Sequence, residues 1–243
     1  MATTNQKTAV IIPAYNEGES IAHLLTDLTR TIPPHWDIIV INDGSHDDTE
    51  FIARQYASKT ITLPINLGIG GCMQTGLLFA YRKGYDHVVQ FDGDGQHVAT
   101  EIKTLLWAMQ ETKADVMVGS RFIQNFSGQF RSTFVRRLGI RVIRLTLYLL
   151  TGQRIKDPTS GFRVFNAEAI KLFAEHYPVH YPEPESLILL HKHNLKVHEI
   201  STLMNPRQGG KSSLSKKAGF YMFNVLMGMI FSAMRPQMKH HGD

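Results

Sequence analysis

Five short apolar runs alternate with four amphipathic stretches through the first half of this 243-residue chain, and no other feature constrains the fold as strongly. Residues 9–12, 38–41, 60–63, 87–91 and 116–118 read as strands, and residues 19–31, 48–58, 71–83 and 100–112 as helices between them. Repeated strand–helix–strand units of this length predict a parallel sheet covered by helices on both faces. Such sheets bind ligands at the carboxyl ends of their strands, so the residues just after each apolar run are the ones to inspect.

Three of those ends carry chemistry. Pro13-Ala14-Tyr15-Asn16-Glu17 follows the first run, Asn42-Asp43-Gly44-Ser45 the second, and Asp92-Gly93-Asp94-Gly95-Gln96-His97 the fourth. Asp92 and Asp94 flank a glycine and are followed by the Gln96 amide, an oxygen set suited to a hard cation such as Mg²⁺ or Mn²⁺. Such an ion keeps waters and is completed by substrate phosphates. A calcium loop starting at Asp92 would need a glutamate at its twelfth position, where Lys103 stands. A helix cap before Thr100 would explain one aspartate but not two.

Two glycine-rich segments fail as phosphate loops. Gly68-Ile69-Gly70-Gly71-Cys72-Met73 has Met73 where the dinucleotide fingerprint has its third glycine, and Gly210-Lys211-Ser212 has Asn205 where a P-loop begins with glycine. Residues 66–76 read instead as a turn entering a helix.

The second half differs in charge and pattern. Residues 1–120 hold eight Lys/Arg against 14 Asp/Glu, and residues 121–243 hold 18 against seven. An acidic half followed by a basic half predicts cation handling first and anion handling second. Residues 132–150 place Arg136, Arg137, Arg141 and Arg144 among leucines and isoleucines at helical spacing. Two readings fit: a core helix with a solvated arginine face, or a helix lying on an acidic membrane. Residues 218–234 are uncharged but short of a ~20-residue membrane span, which suits an interfacial or docking helix. The lone Cys72 excludes a disulfide framework and fits a reducing compartment. The polar first eight residues do not pattern as a signal peptide.

Taken together, PAYNE, NDGS, NLGIGGCMQTG and DGDGQH, in this order, resemble family 2 glycosyltransferases. GSRF at residues 119–122 and DPTSGFR at 157–163 narrow the resemblance to the polyprenyl-phosphate sugar transferase branch, similar to dolichol-phosphate mannose synthase. The YPEPE of residues 181–185 and RQGGKS of residues 207–212 are similar to a bacterial subgroup that acts in cell-envelope polysaccharide assembly. The resemblance covers roughly residues 8–213. It implies an α/β, GT-A (nucleotide-diphospho-sugar transferase) fold, a mostly parallel central sheet flanked by helices, with C-terminal amphipathic helices. A catalytic domain over 1–213 would be followed by an apolar helix and tail over 214–243.

The resemblance also assigns roles. Pro13, Tyr15, Glu17, Asp43 and Gly44 would line the nucleotide pocket, with Asp43 on the base or ribose. Asp92, Asp94 and Gln96 would hold Mg²⁺ or Mn²⁺ against the donor diphosphate, and Arg207 and Lys211 would close over it. Arg121, with Arg136 or Arg137, would receive the acceptor phosphate. The branch has a serine a few residues beyond that arginine pair, where this chain has Gly139 and Ile140.

These roles imply an inverting, metal-dependent transfer of a hexose or N-acetylhexosamine, from a UDP-sugar rather than GDP-mannose, to a polyprenyl phosphate. A phosphate acceptor needs positioning rather than a base. A saccharide hydroxyl would need one, and Glu183 or Glu185 could serve. Both are read equally well as acids opening a helix over 186–193. The implied enzyme is cytoplasmic, peripheral on the inner face of the cell membrane, held there by the membrane surface or a small integral membrane protein. A nucleic-acid partner is not expected despite a pI of 9.3, because the basic residues adjoin leucines and phenylalanines and no recognition motif is present.

Overall fold

The computed structural model describes residues 6–93, 95–123, 134–203 and 218–236. In chain order the elements are β1 (Thr8–Ala14), α1 (Ile21–Thr31), β2 (Asp37–Asn42), α2 (Thr49–Tyr56), β3 (Lys59–Thr62), α3 (Gly68–Arg82), β4 (His87–Gln90) and α4 (Glu101–Thr112). They continue with β5 (Val116–Ser120), α5 (Phe134–Thr151), β6 (Arg163–Asn166), α6 (Ala167–His176), α7 (Pro182–Lys192), β7 (Val197–Ser201) and α8 (Ala218–Met234).

The strands form one sheet in the order β3-β2-β1-β4-β6-β5-β7, parallel except for β6, which runs antiparallel to both β4 and β5. The expected mostly parallel sheet is therefore present. Side chains of successive strand residues alternate between two separate cores, as a period of two requires. Ile11, Ile39, Ile41, Val88 and Val118 pack under α3, α5, α6, α7 and α8. Val10, Ile12, Val40, Val89 and Met117 pack under α1, α2 and α4. Every one of these strand residues is wholly shielded from solvent. Close packing of α3 on β1 depends on Gly76, where a Cβ would stand 2.7 Å from Ile11 Cγ2.

Two strands were not legible beforehand. β6 is four residues long and opens on an arginine, and β7 carries His198 and Glu199 at the sheet edge. Their directions matter to the site. Because β6 is antiparallel, the loop that enters it, residues 157–163, arrives at the same edge where β1, β2, β4 and β5 end.

The arginine-bearing helix α5 buries Ile140, Ile143 and Leu147 and turns Arg137, Leu138, Arg141, Leu145 and Leu149 outward. Its outer face is thus basic and apolar at once. The expected boundary near residue 213 lies outside the described residues. Beyond it, α8 packs on α5 and α7, with Val225 and Met229 in the core. Among the described residues no helix is long and apolar enough to cross a membrane.

Candidate active site

The β1 and β2 loops are knitted together before any ligand is considered. Asn16, at φ 54°, donates its backbone N–H to Ser45 Oγ (3.0 Å), and its side-chain oxygen accepts from His46 N (2.9 Å). Glu17 N donates to Thr49 Oγ1 at 2.8 Å. Gly44 serves the β2 turn. Its φ of +68° is in the left-handed region, and a Cβ would meet the Ile65 carbonyl carbon at 3.2 Å.

These loops and Asp92 border an open cleft of 260 Å³ at the strand ends. Pro13, Tyr15, Glu17, Asp43 and Asp92 all line it, joined by Ile69 and Cys72 from α3. The Asp43 carboxylate has a structural task that the sequence did not suggest. It accepts from Leu67 N at 2.7 Å and Gly68 N at 2.9 Å, capping the first turn of α3. Burial, aided by the Asp43 charge, pushes the Cys72 thiol up, so it stays protonated and unreactive.

Asp92 lies deepest. Burial by itself would raise its pKa. The hydrogen bond and charge of His97, a contact with Gln90 and the nearby Arg121 outweigh burial and hold it below the usual carboxylate range. Its Oδ2 is 3.2 Å from His97 Nε2, while its buried Oδ1 has no hydrogen-bond partner among the described residues. An ionised carboxylate with one bare oxygen fits a hard divalent cation. Asp94 lies outside the described residues, and the described ones contain no cluster of three His, Cys, Asp or Glu ligands. Arg207 and Lys211 and the side chain of Arg136 also fall outside the description.

The structure adds partners around the residues expected at the acceptor side. Arg121 is gripped by Asp157: Nε to Oδ2 and Nη2 to Oδ1 both measure 2.7 Å, and Thr159 Oγ1 takes a further bond at 3.0 Å. Asp157 is in turn fixed by Glu199, which accepts from Lys156 N and Asp157 N. Arg137 is exposed on α5. The α5 arginine that does approach is Arg144, 4.9 Å from the Phe122 ring centroid, with Arg121 at 5.6 Å from the same centroid. Burial lowers the Arg144 pKa, and its Nε and Nη2 have no hydrogen-bond partner among the described residues.

The two glutamates separate. They occupy the first turn of α7, which begins at Pro182 rather than at Ser186. Glu185 is turned to α8: its Oε2 accepts from Ser232 Oγ at 2.7 Å, and its Oε1 sits against Gly228. That contact removes it as a candidate base. Glu183 lies within electrostatic reach of Asp92, Arg163 and Arg121, and burial, reinforced by Asp92, pushes its carboxyl up. A carboxyl with a raised folded pKa destabilises the fold once it ionises, so stability falls as pH rises from the unfolded value through the folded one. Glu183→Gln is therefore expected to raise the thermal midpoint at about pH 7, with the gain vanishing toward about pH 4. Melting curves across that range check this, and a difference independent of pH would contradict it.

Sequence reasoning missed Arg163. It is fully buried and donates to Ser160 O (2.8 Å), Pro158 O (3.3 Å), Glu183 O (2.9 Å) and Ser186 Oγ (2.7 Å), tying the 157–163 loop to the start of α7. The available signal was a charge inside the apolar run Phe162-Arg163-Val164-Phe165.

Comparison with known proteins decides what this strand-end site belongs to. The family described as glycosyl transferase family 2 matches residues 9–173. The chain belongs to glycosyl transferase family 2. Among relatives of this glycosyltransferase is the UDP-N-acetylglucosamine–dolichyl-phosphate N-acetylglucosaminyltransferase of Methanococcus voltae, 30% identical over 79% of this chain and 82% of that one. A dolichyl-phosphate beta-glucosyltransferase of Trichomonas vaginalis is 28% identical over 88% of this chain and 74% of its own. The polyprenol monophosphomannose synthase of Mycolicibacterium smegmatis is 32% identical, over 68% and 64% respectively. In fold the glycosyltransferase matches the GT-A enzyme glucosyl-3-phosphoglycerate synthase from Mycobacterium tuberculosis, solved with Mn²⁺, UDP and glucosyl-3-phosphoglycerate. The TM-score is 0.72 at 18% identity, over 96% of this chain and 81% of that one.

Proposed function

We propose that this glycosyltransferase moves a hexose or N-acetylhexosamine, with inversion, from a UDP-sugar to a polyprenyl phosphate, using Mg²⁺ or Mn²⁺. The observation that carries the reading is Asp92, lining the strand-end cleft with its buried Oδ1 unpartnered among the described residues and its pKa held low by its neighbours. Asp92, Asp94 and Gln96 would hold the cation, which when bound neutralises the developing charge of the departing diphosphate.

The rest of the site binds and orients. Pro13, Tyr15, Glu17 and Asp43 wall the nucleotide side of the cleft. Arg207 and Lys211 supply positive charge to the diphosphate. An acceptor phosphate oxygen attacks the anomeric carbon as the bond to the diphosphate oxygen breaks, and the bonding pair leaves with the diphosphate. The acceptor is already an anion, so no general base is required. Arg121, held rigid by Asp157, with Arg136 or Arg137 and the nearby Arg144, provides the basic side where that phosphate would dock.

The names of the relatives support a polyprenyl phosphate acceptor. So does the outer surface of the two long C-terminal helices. Leu145 and Leu149 of α5 and Phe223, Phe231 and Met234 of α8 are exposed, with Arg137 and Arg141 on the same α5 face. Apolar side chains interspersed with arginines suit a helix pair resting on an anionic bilayer, the cytoplasmic leaflet of a cell membrane engaged in envelope glycan assembly.

The test is a screen of radiolabelled nucleotide sugars with undecaprenyl phosphate, followed by extraction into organic solvent. Label is expected in the organic phase with a UDP-sugar. If all label stays aqueous while an oligosaccharide acceptor is elongated, the polyprenyl reading fails. Glu183 would then be the base for a hydroxyl acceptor.

A further inference from the structure

Two residues that have no part in the chemistry above stand against Asp92. One is His97, only 6% exposed, with Nε2 3.2 Å from Asp92 Oδ2. An ionised carboxylate can only accept, so Nε2 carries the proton of this contact. Nδ1 is buried and has no hydrogen-bond partner among the described residues. The ring is fixed as an aromatic would be. It stacks on Phe162, with centroids 4.8 Å apart and planes at 28°, and meets Phe91 edge-on at 5.5 Å.

The second residue against the carboxylate is Gly161. A Cβ there would lie 2.5 Å from Asp92 Oδ2 and 2.9 Å from Oδ1. Gly161 is not among the residues with positive φ, so its backbone does not call for glycine. The carboxylate beside it does. Gly161 and Phe162 are consecutive, so one loop supplies both the gap for the carboxylate and the plate that orients the imidazole.

The geometry points to His97 and Gly161 as paired positioning residues that hold Asp92 in one rotamer, with Oδ2 engaged by the imidazole and Oδ1 left for the divalent cation. This rests on the cation reading of Asp92 given under Proposed function. Partners that orient a ligating side chain typically contribute about 10- to 100-fold to metal affinity.

The experiment measures Mn²⁺ binding to the full chain without turnover, by electron paramagnetic resonance of free Mn²⁺, alone and with UDP or GDP. His97→Phe keeps the stack on Phe162 but removes the donor. Gly161→Ala places a methyl group against the carboxylate. Each is expected to weaken Mn²⁺ binding by about 10- to 100-fold, with His97→Phe melting within a few degrees of the parent. The double variant should lose less than the product of the two, because both act through one carboxylate. A merely structural role would lower the melting temperature and leave the Mn²⁺ Kd of the folded protein unchanged. If one variant does not fold, the other decides. Parent protein that binds no Mn²⁺ overturns the cation reading and this pairing with it. Parent binding that the folded variants retain overturns the pairing alone, and losses that multiply in the double variant also overturn it.

Discussion

Asp92→Asn is expected to lower sugar transfer by about 10²- to 10³-fold, the range seen when one preorganised group facing developing charge is removed. The substitution is nearly isosteric, and the asparagine oxygen still accepts from His97 Nε2. Folding stability should therefore change by less than about 1 kcal/mol. What is lost is the negative charge, which the surroundings maintain against burial through His97 and Arg121. Initial rates at saturating Mn²⁺, set beside melting curves, separate the two effects. Turnover equal to that of the parent would overturn the role of Asp92, and Asp94→Ala puts the same question to the second aspartate of the motif.

Arg163→Met is expected to have the largest effect on stability. The guanidinium is fully buried, and its four described acceptors are three backbone carbonyls and the Ser186 hydroxyl rather than a carboxylate. Glu183 O keeps a second donor in Ser186 Oγ, whereas Ser160 O and Pro158 O would lose the Arg163 bond. Leaving buried acceptors unmade costs about 1–3 kcal/mol each, which places the loss near 3–5 kcal/mol. At roughly 2–4 °C per kcal/mol for a chain of this size, the midpoint should fall by about 10 °C. Activity should fall as well, because Arg163 fixes the loop that carries Gly161 beside Asp92. A variant that melts like the parent would show that the loop and α7 hold their places without the guanidinium.

The residues that the sequence pointed to and that the structure brings to one cleft share one property: they stand at or just after the end of an apolar run. Pro13, Tyr15 and Glu17 end β1, Asp43 ends β2 and Asp92 ends β4, so parallel strand order alone brings them to one edge. Residues that this rule does not cover were placed less well. The 157–163 loop precedes its strand and reaches the edge only because β6 runs antiparallel. The ion pair of Arg121 with Asp157, 36 residues away, had no signal in the sequence. Glu185 was paired with Glu183 as a possible base, yet α8 draws it away through Ser232.

By itself the sequence determined the layered α/β architecture, because side-chain periodicity is local: successive strand residues must face opposite sides, and each helix must bury one stripe. It also determined which strand ends carry carboxylates. Only the tertiary structure decided what each charged group faces. Asp43 caps α3, Arg121 meets Asp157, Arg163 anchors α7 and His97 holds Asp92. The physical reason is that a charge in a buried site is defined by its partner, and most of those partners are brought close by packing between segments far apart along the chain.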